Sequence, residues 1–175
     1  MSSPTSAASL LNTFQEQFVR TDLNAYLSEG LIGEGVMIPG FKGMQSLIYA
    51  DYVASGRALQ QVEDFMLNQV LPYYANSHTE ASFCGQFMTQ LRQSSRQTIA
   101  QLCGADSRHA VVFTGSGATA GLNRLVHLLG VSQSHDNQPP EEQPLVIIGP
   151  YEHHSNILPW RESAAQVVEL QEAAQ

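Results

Sequence analysis

Lysine is nearly missing from this sequence: Lys42 is the single one in 175 residues. Any mechanism that needs a lysine amine downstream of residue 42 cannot be completed by these residues. Cysteine is scarce too. Cys84 and Cys103 are too few and too far apart for a zinc site or a disulfide framework, and they read as small core residues. Basic residues are outnumbered, 8 against 16 acidic, for a formal net charge of −8. That balance argues against nucleic acid or an anionic membrane as the main partner. No apolar run approaches the ~20 residues that span a bilayer. Residues 1–11 are rich in serine and alanine but carry no basic residue, and Glu16 follows. Neither a secretory signal nor a transit peptide is expected, and the expected compartment is the cytoplasm.

What is present suits one ordinary globular domain: 175 residues and 43% hydrophobic content are enough for a real core. The most informative stretch runs from Ala110 to Asn123. Ala110 to Phe113 is a short apolar run that reads as a buried strand. Thr114 to Gly117 interrupt it with two glycines flanking Ser116, after which Leu122, Leu125, Val126 and Leu129 recur at helical spacing and Gly130 ends the helix. A strand, a glycine-rich turn and a helix N-terminus make an anion site, because the first-turn N–H groups lack intrahelical partners and the helix dipole is positive where they point. Ser116 and Thr119 can add hydroxyl donors. The motif also fits a structural turn or a Rossmann-type dinucleotide site. The last of these wants an acidic residue at the end of the second strand, whereas Leu145–Ile148 ends in Gly149-Pro150.

Around this centre, residues 1–7 are expected to be disordered, and residues 10–27 to form one or two helices with Asp22 or Asn24 as a restart cap. Gly30 to Gly43, with five glycines, reads as a loop with a short strand or hairpin near Met37. An extended stretch over residues 47–54 leads into a helix that runs to about Val70 and is stopped by Pro72. A polar loop, residues 73–82, carries Asn76 and His78, and a helix over 83–102 buries Phe87, Leu91 and Ile99. The stretch 132–144 is a surface loop. Leu145–Ile148 is apolar throughout, as a central parallel strand is. It delivers Glu152-His153-His154-Ser155-Asn156 to the sheet's C-terminal edge, where open α/β folds hold ligands. Pro159 is expected in the first turn of the next helix, and Val167–Leu170 as a third strand.

Adjacent histidines diverge, so His153 and His154 are poorly placed to share one metal, and no third ligand stands at a metal-site spacing. No metal is expected. A histidine at this strand end can face a flat aromatic ligand, by stacking or proton transfer, or can cap the following helix.

The order Tyr49-Ala50-Asp51, Asn76-Ser77-His78-Thr79, Gly115-Ser116-Gly117-Ala118-Thr119, then Glu152-His153-His154-Ser155-Asn156 with Pro159-Trp160 resembles the class V aminotransferases. Within them it is most similar to the cysteine desulfurase-like branch of the fold-type I enzymes that use pyridoxal 5′-phosphate (PLP). The resemblance covers residues 45–170. It implies that Gly117, Ala118 and Thr119 hold the cofactor phosphate and that His153 is catalytic, stacking on the pyridine ring and assisting proton transfer. It also implies that Asn76 and His78 lie near the mouth of the substrate pocket. Family members bind PLP through a Schiff-base lysine far downstream. An aspartate for the pyridine nitrogen and the persulfide-forming cysteine also lie beyond the matched region. Lys42 matches none of these.

The expected fold class is therefore α/β: an incomplete fold-type I PLP-transferase large domain, with parallel strands and helices after an N-terminal helical segment. Residues 1–44 are the helical segment and glycine-rich lead-in, and 45–175 the N-terminal part of the PLP-binding domain. In that fold, missing strands separate the 110–113 and 145–148 strands, so apolar edges are left uncovered. The expected function is the N-terminal part of a PLP-dependent enzyme acting on a small amino-acid substrate. The complete family fold is expected to be a homodimer, while this chain holds PLP non-covalently at best and is inactive by itself. The alternatives are a non-catalytic binding or interaction protein derived from the fold, and a Rossmann-type nucleotide binder.

Overall fold

The computed structural model describes residues 6–132 and 139–172, in two units, Met1–Val111 and Val112–Gln175. In the first, Ser6 opens helix α1 (Ala7–Glu16), its Oγ accepting the Ser9 N–H at 3.2 Å. The expected disorder over 1–7 is thus corrected at its end: Ser6 caps a helix and Ala7 is buried, while residues 1–5 lie outside the described residues. Helix α2 (Leu23–Glu29) restarts at Asp22. Strands β1 (Met37–Gly40) and β2 (Gly43–Ser46) pair antiparallel, with Met37 opposite Ser46. They form the expected hairpin, and exposed Lys42 sits in its turn.

The expected extended stretch over residues 47–54 ends in a turn: the Asp51 carbonyl accepts the N–H groups of Ala54 and Ser55. The expected single helix ending at Val70 is instead α3 (Gln60–Phe65), a π-helical turn (Met66–Val70) and a 3-10 turn (Leu71–Tyr73). Pro72 has no N–H with which to continue a regular ladder. Helix α4 (Phe83–Leu102) forms where expected, with the Ser82 Oγ accepting the Gly85 N–H at 3.1 Å. Ala7, Val70, Phe87 and Leu91 make the core of this unit, so α1 packs on α4. Ile99, expected in that core, is exposed instead.

The second unit is a βαβ arrangement with a helix before it. Helix α5 (Gly117–Leu128) ends at Leu129, and Gly130 follows at φ +75°. Strand β3 (Leu145–Ile148) runs parallel to β4 (Gln166–Glu169), with helix α6 (His154–Arg161) between them. Parallel pairing requires such a crossover. Residues 133–138 of the expected surface loop lie outside the described residues; Pro140–Glu142 forms a 3-10 turn.

Residues 110–113 are not a buried strand. They pair with no strand among the described residues, and Val112 and Phe113 are exposed. An apolar run becomes a strand only where another backbone takes its N–H and C=O groups, and the one parallel ladder described joins β3 to β4. Nor is β3 covered on both faces: Ile148 is buried, while Leu145 and Ile147 are exposed. The core beneath it is Val126, Val131, Ile148 and Trp160, with Leu122, Val146, Ile157 and Val167 against them. Each fully buried side chain of this kind stabilises by about 1.5–3 kcal/mol. That core fixes α5 and α6 against the same sheet, which sets the geometry of the site.

Candidate functional site

At the start of α5, Ser116 occupies the N-cap with extended backbone (φ −90°, ψ 132°), yet its side chain makes no cap hydrogen bond. Gly115 and Gly117 take φ values of +120° and +71°, a region closed to most side-chain-bearing residues. A Cβ placed on Gly117 would meet nothing within 4 Å, so that glycine is required by backbone conformation and leaves open space beside the turn. Gly117, Ala118 and Thr119 form the first turn of a 12-residue helix. Its free amides and dipole favour an anion.

Facing α5 in the same unit, β3 hands the chain through Gly149 and Pro150 to α6. The segment 152–160 is held by its own polar bonds. His153 is the N-cap: its Nδ1 accepts the Ser155 N–H at 3.2 Å and lies 2.9 Å from the Ser155 Oγ. Asn156 donates to Glu152 Oε2 at 2.7 Å and accepts the Trp160 indole N–H at 3.1 Å. The His153 and His154 rings meet edge to face, 5.9 Å apart. No group of three metal-ligating side chains occurs among the described residues. The helix begins at His154, not at Pro159, which lies inside it. The histidine cap starts the helix five residues earlier than the proline suggests.

These two elements line an open surface pocket of about 320 Å³, near the lower end of the ~300–1,000 Å³ usual for small-molecule sites. α5 contributes Thr119 and Asn123; α6 and its cap contribute His153, His154, Ser155, Leu158, Pro159 and Glu162. Thr119 and His153 are therefore brought to one space, whereas Gly117 and Ala118 share the helical turn but not the cavity wall. Asn123 is tied back by a bond from its side-chain N–H₂ to the Thr119 carbonyl at 2.9 Å. Cavities of about 250 and 230 Å³ in the first unit are lined by Gln17, Phe65 and Gln69 among others, and by none of the expected site residues.

Asn76 and His78 belong to the first unit. His78 has φ +75°, unusual for a residue with a side chain. It is held by its N–H donating to Thr89 Oγ1 at 3.0 Å and by Arg92 Nη1 at 3.1 Å from its Nε2. Arg92 also donates to Ser77 Oγ at 3.3 Å. A Cβ on Gly85 would stand 2.4 Å from Thr79 Cγ2 and 2.9 Å from the Thr79 carbonyl oxygen, so the loop lies directly on α4. Asn76 is exposed beside it.

Sequence reasoning did not pick out Asn123, Leu158 or Glu162 for the site, nor Ser155 for a bond to His153. Helical spacing could have found three of them: Asn123 follows Thr119 by four residues, and Leu158 and Glu162 follow His154 by four and eight. The residues present suit the two ends of a phosphorylated aromatic ring: an uncapped helix start with a hydroxyl at Thr119, and the His153 imidazole in the same pocket as apolar Leu158 and Pro159. No lysine lines the cavity.

Residues 48–174 match the family model of the class-V aminotransferases. Curated relatives each bearing the name "Probable cysteine desulfurase" align with the chain. The protein from Streptomyces coelicolor is 31% identical over 115 residues, 66% of this chain and 27% of its own length. One from Staphylococcus aureus is 27% identical over 118 residues, 67% of this chain and 27% of its own. One from Pyrococcus abyssi is 28% identical over 120 residues, 69% and 28%. The chain thus spans little more than a quarter of the length of these relatives.

Proposed function

The chain belongs to the class-V aminotransferase family, and on that premise we propose that its second unit holds the phosphate and ring of PLP without a covalent bond, as the N-terminal part of a cysteine desulfurase-like enzyme. The cavity that both Thr119 and His153 reach is the observation that carries this reading. The amides of Gly117, Ala118 and Thr119 are the phosphate donors, with the Thr119 hydroxyl beside them; charge-assisted bonds of this kind are worth about 1.5–3 kcal/mol each. His153 is the residue to stack on the ring and to assist proton transfer there. Leu158 and Pro159 give the ring an apolar wall. When bound, the cofactor supplies the electron sink for bond cleavage at an amino acid's α-carbon.

On this reading residues 45–175 are part of a fold-type I large domain, residues 1–44 lead into it, and Asn76 and His78 border the substrate entrance. A homodimer in the cytoplasm is the matching assembly and place; among the described residues no helix is long and apolar enough to cross a membrane. One observation favours a second reading, a binding protein without catalysis: no lysine stands among the residues of the cavity. Equilibrium dialysis of the 175-residue chain against PLP, pyridoxal and inorganic phosphate, followed by an assay for sulfide release from cysteine, tests both. Saturable PLP binding that phosphate competes away, without turnover, is expected. Turnover of cysteine would overturn the non-covalent reading, and absence of PLP binding would overturn the site.

A further inference from the structure

His153 is tied to Ser155 twice through one nitrogen. Nδ1 lies 3.2 Å from the Ser155 backbone N and 2.9 Å from its Oγ. A backbone amide can only donate, so Nδ1 must accept, and in a neutral imidazole the proton then sits on Nε2. The Ser155 hydroxyl is free to rotate its proton toward the same lone pair. Nε2 makes no hydrogen bond among the described residues, and both His153 and Ser155 line the cavity with Thr119.

We propose that Ser155 is a positioning residue that holds the His153 imidazole in the Nε2–H form, so that the ring offers the cavity a hydrogen donor and not a base. The helix cap and the site are then one device: the amide that starts α6 and the hydroxyl of the same residue both donate to Nδ1, and together they select the tautomer and limit ring rotation about the Cβ–Cγ bond. In this form Nε2 gives the cavity a hydrogen bond and keeps its proton, because releasing it from a neutral ring would leave an imidazolate anion. The proposal rests on the PLP reading only for what that proton meets, since the tautomer belongs to the chain itself.

The test is ¹⁵N NMR of the histidine side chains in the ligand-free 175-residue chain, with the PLP affinity of variants measured beside it. For the neutral His153 ring, Nδ1 is expected in the range of an unprotonated ring nitrogen and Nε2 in that of a protonated one. Ser155→Ala keeps the amide but loses the hydroxyl; it should shift the His153 nitrogens toward the averaged values of a mixed tautomer population and weaken PLP binding about 2–10-fold, the worth of one modest hydrogen bond. Ser155→Thr, which keeps a hydroxyl, should restore both. In a His153→Ala background, Ser155→Ala should cost no further affinity, because its effect runs through the ring. A protonated Nδ1 in the unaltered chain would overturn the inference, as would an equal loss in the His153→Ala background. Absence of PLP binding with the Nε2–H tautomer intact would overturn the proposed function alone.

Discussion

The indole N–H of Trp160 donates to Oδ1 of Asn156 at 3.1 Å, one turn back along α6, and the same Asn156 donates to Glu152 before the helix begins. A buried ring thereby anchors the corner on which His153 sits, since Trp160 also belongs to the core with Val126 and Ile148. Trp160→Ala should lower stability by about 3–5 kcal/mol, the usual cost of emptying a large buried aromatic site. Trp160→Phe retains most of the packing and loses the bond, for about 1 kcal/mol. Urea unfolding followed by circular dichroism measures both, because Trp160 is the chain's only tryptophan and its fluorescence leaves with it. Equal effects from the two substitutions would show that the hydrogen bond, and not the packing, holds the corner.

Gly85 should tolerate no side chain. A Cβ there would stand 2.9 Å from the Thr79 carbonyl oxygen, and a backbone atom cannot swing aside as a side-chain end can. Gly85→Ala is expected to cost about 1–3 kcal/mol and to shift the amide resonances of residues 77–79, which lie on α4 at that point. An unchanged spectrum over those residues would contradict this packing.

Asp106 should titrate well below an ordinary carboxyl. The Arg108 side chain, then the Arg108 N–H and His109, hold it at about 2, against 3.8 unperturbed. A lowered folded-state value means that its contribution to stability is present above the ordinary value and is lost as pH falls through about 2. Carboxyl NMR should find a midpoint at about 2 in the intact chain, rising toward the ordinary value in Arg108→Gln. A midpoint unaffected by that substitution would remove the arginine as the cause.

How far the sequence could be read depended on whether a signal was local. The glycines at 115 and 117 and the helical spacing from Leu122 to Leu129 place α5, and Gly130 does sit past its end at φ +75°. Leu145–Ile148 and Val167 carry β3 and β4, with their parallel pairing. Residues 110–113 look no less strand-like, but a strand depends on a neighbouring backbone that the run itself does not encode. Pro159 suggested a first turn, while the cap was already supplied by His153 and the Ser155 amide; proline tolerates a helix interior poorly but does not prohibit it. The π-helical turn at Met66–Val70 leaves no mark in apolar spacing. Within the site, Thr119 and His153 stood out by motif, whereas the wall formed by Asn123, Leu158 and Glu162 comes from how α5 and α6 pack together.

One crossed binding measurement bears most directly on the shared cavity: the affinities of PLP, pyridoxal and inorganic phosphate for the unaltered chain, Thr119→Ala and His153→Ala. Thr119→Ala should weaken PLP and phosphate together by about 10-fold or more, as loss of a charge-assisted bond does, and leave pyridoxal unchanged. His153→Ala should weaken PLP and pyridoxal about 2–10-fold, the scale of an aromatic contact, and leave phosphate unchanged. If either substitution left PLP binding untouched, or if phosphate and pyridoxal bound together without competing with PLP, one ligand would not span Thr119 and His153.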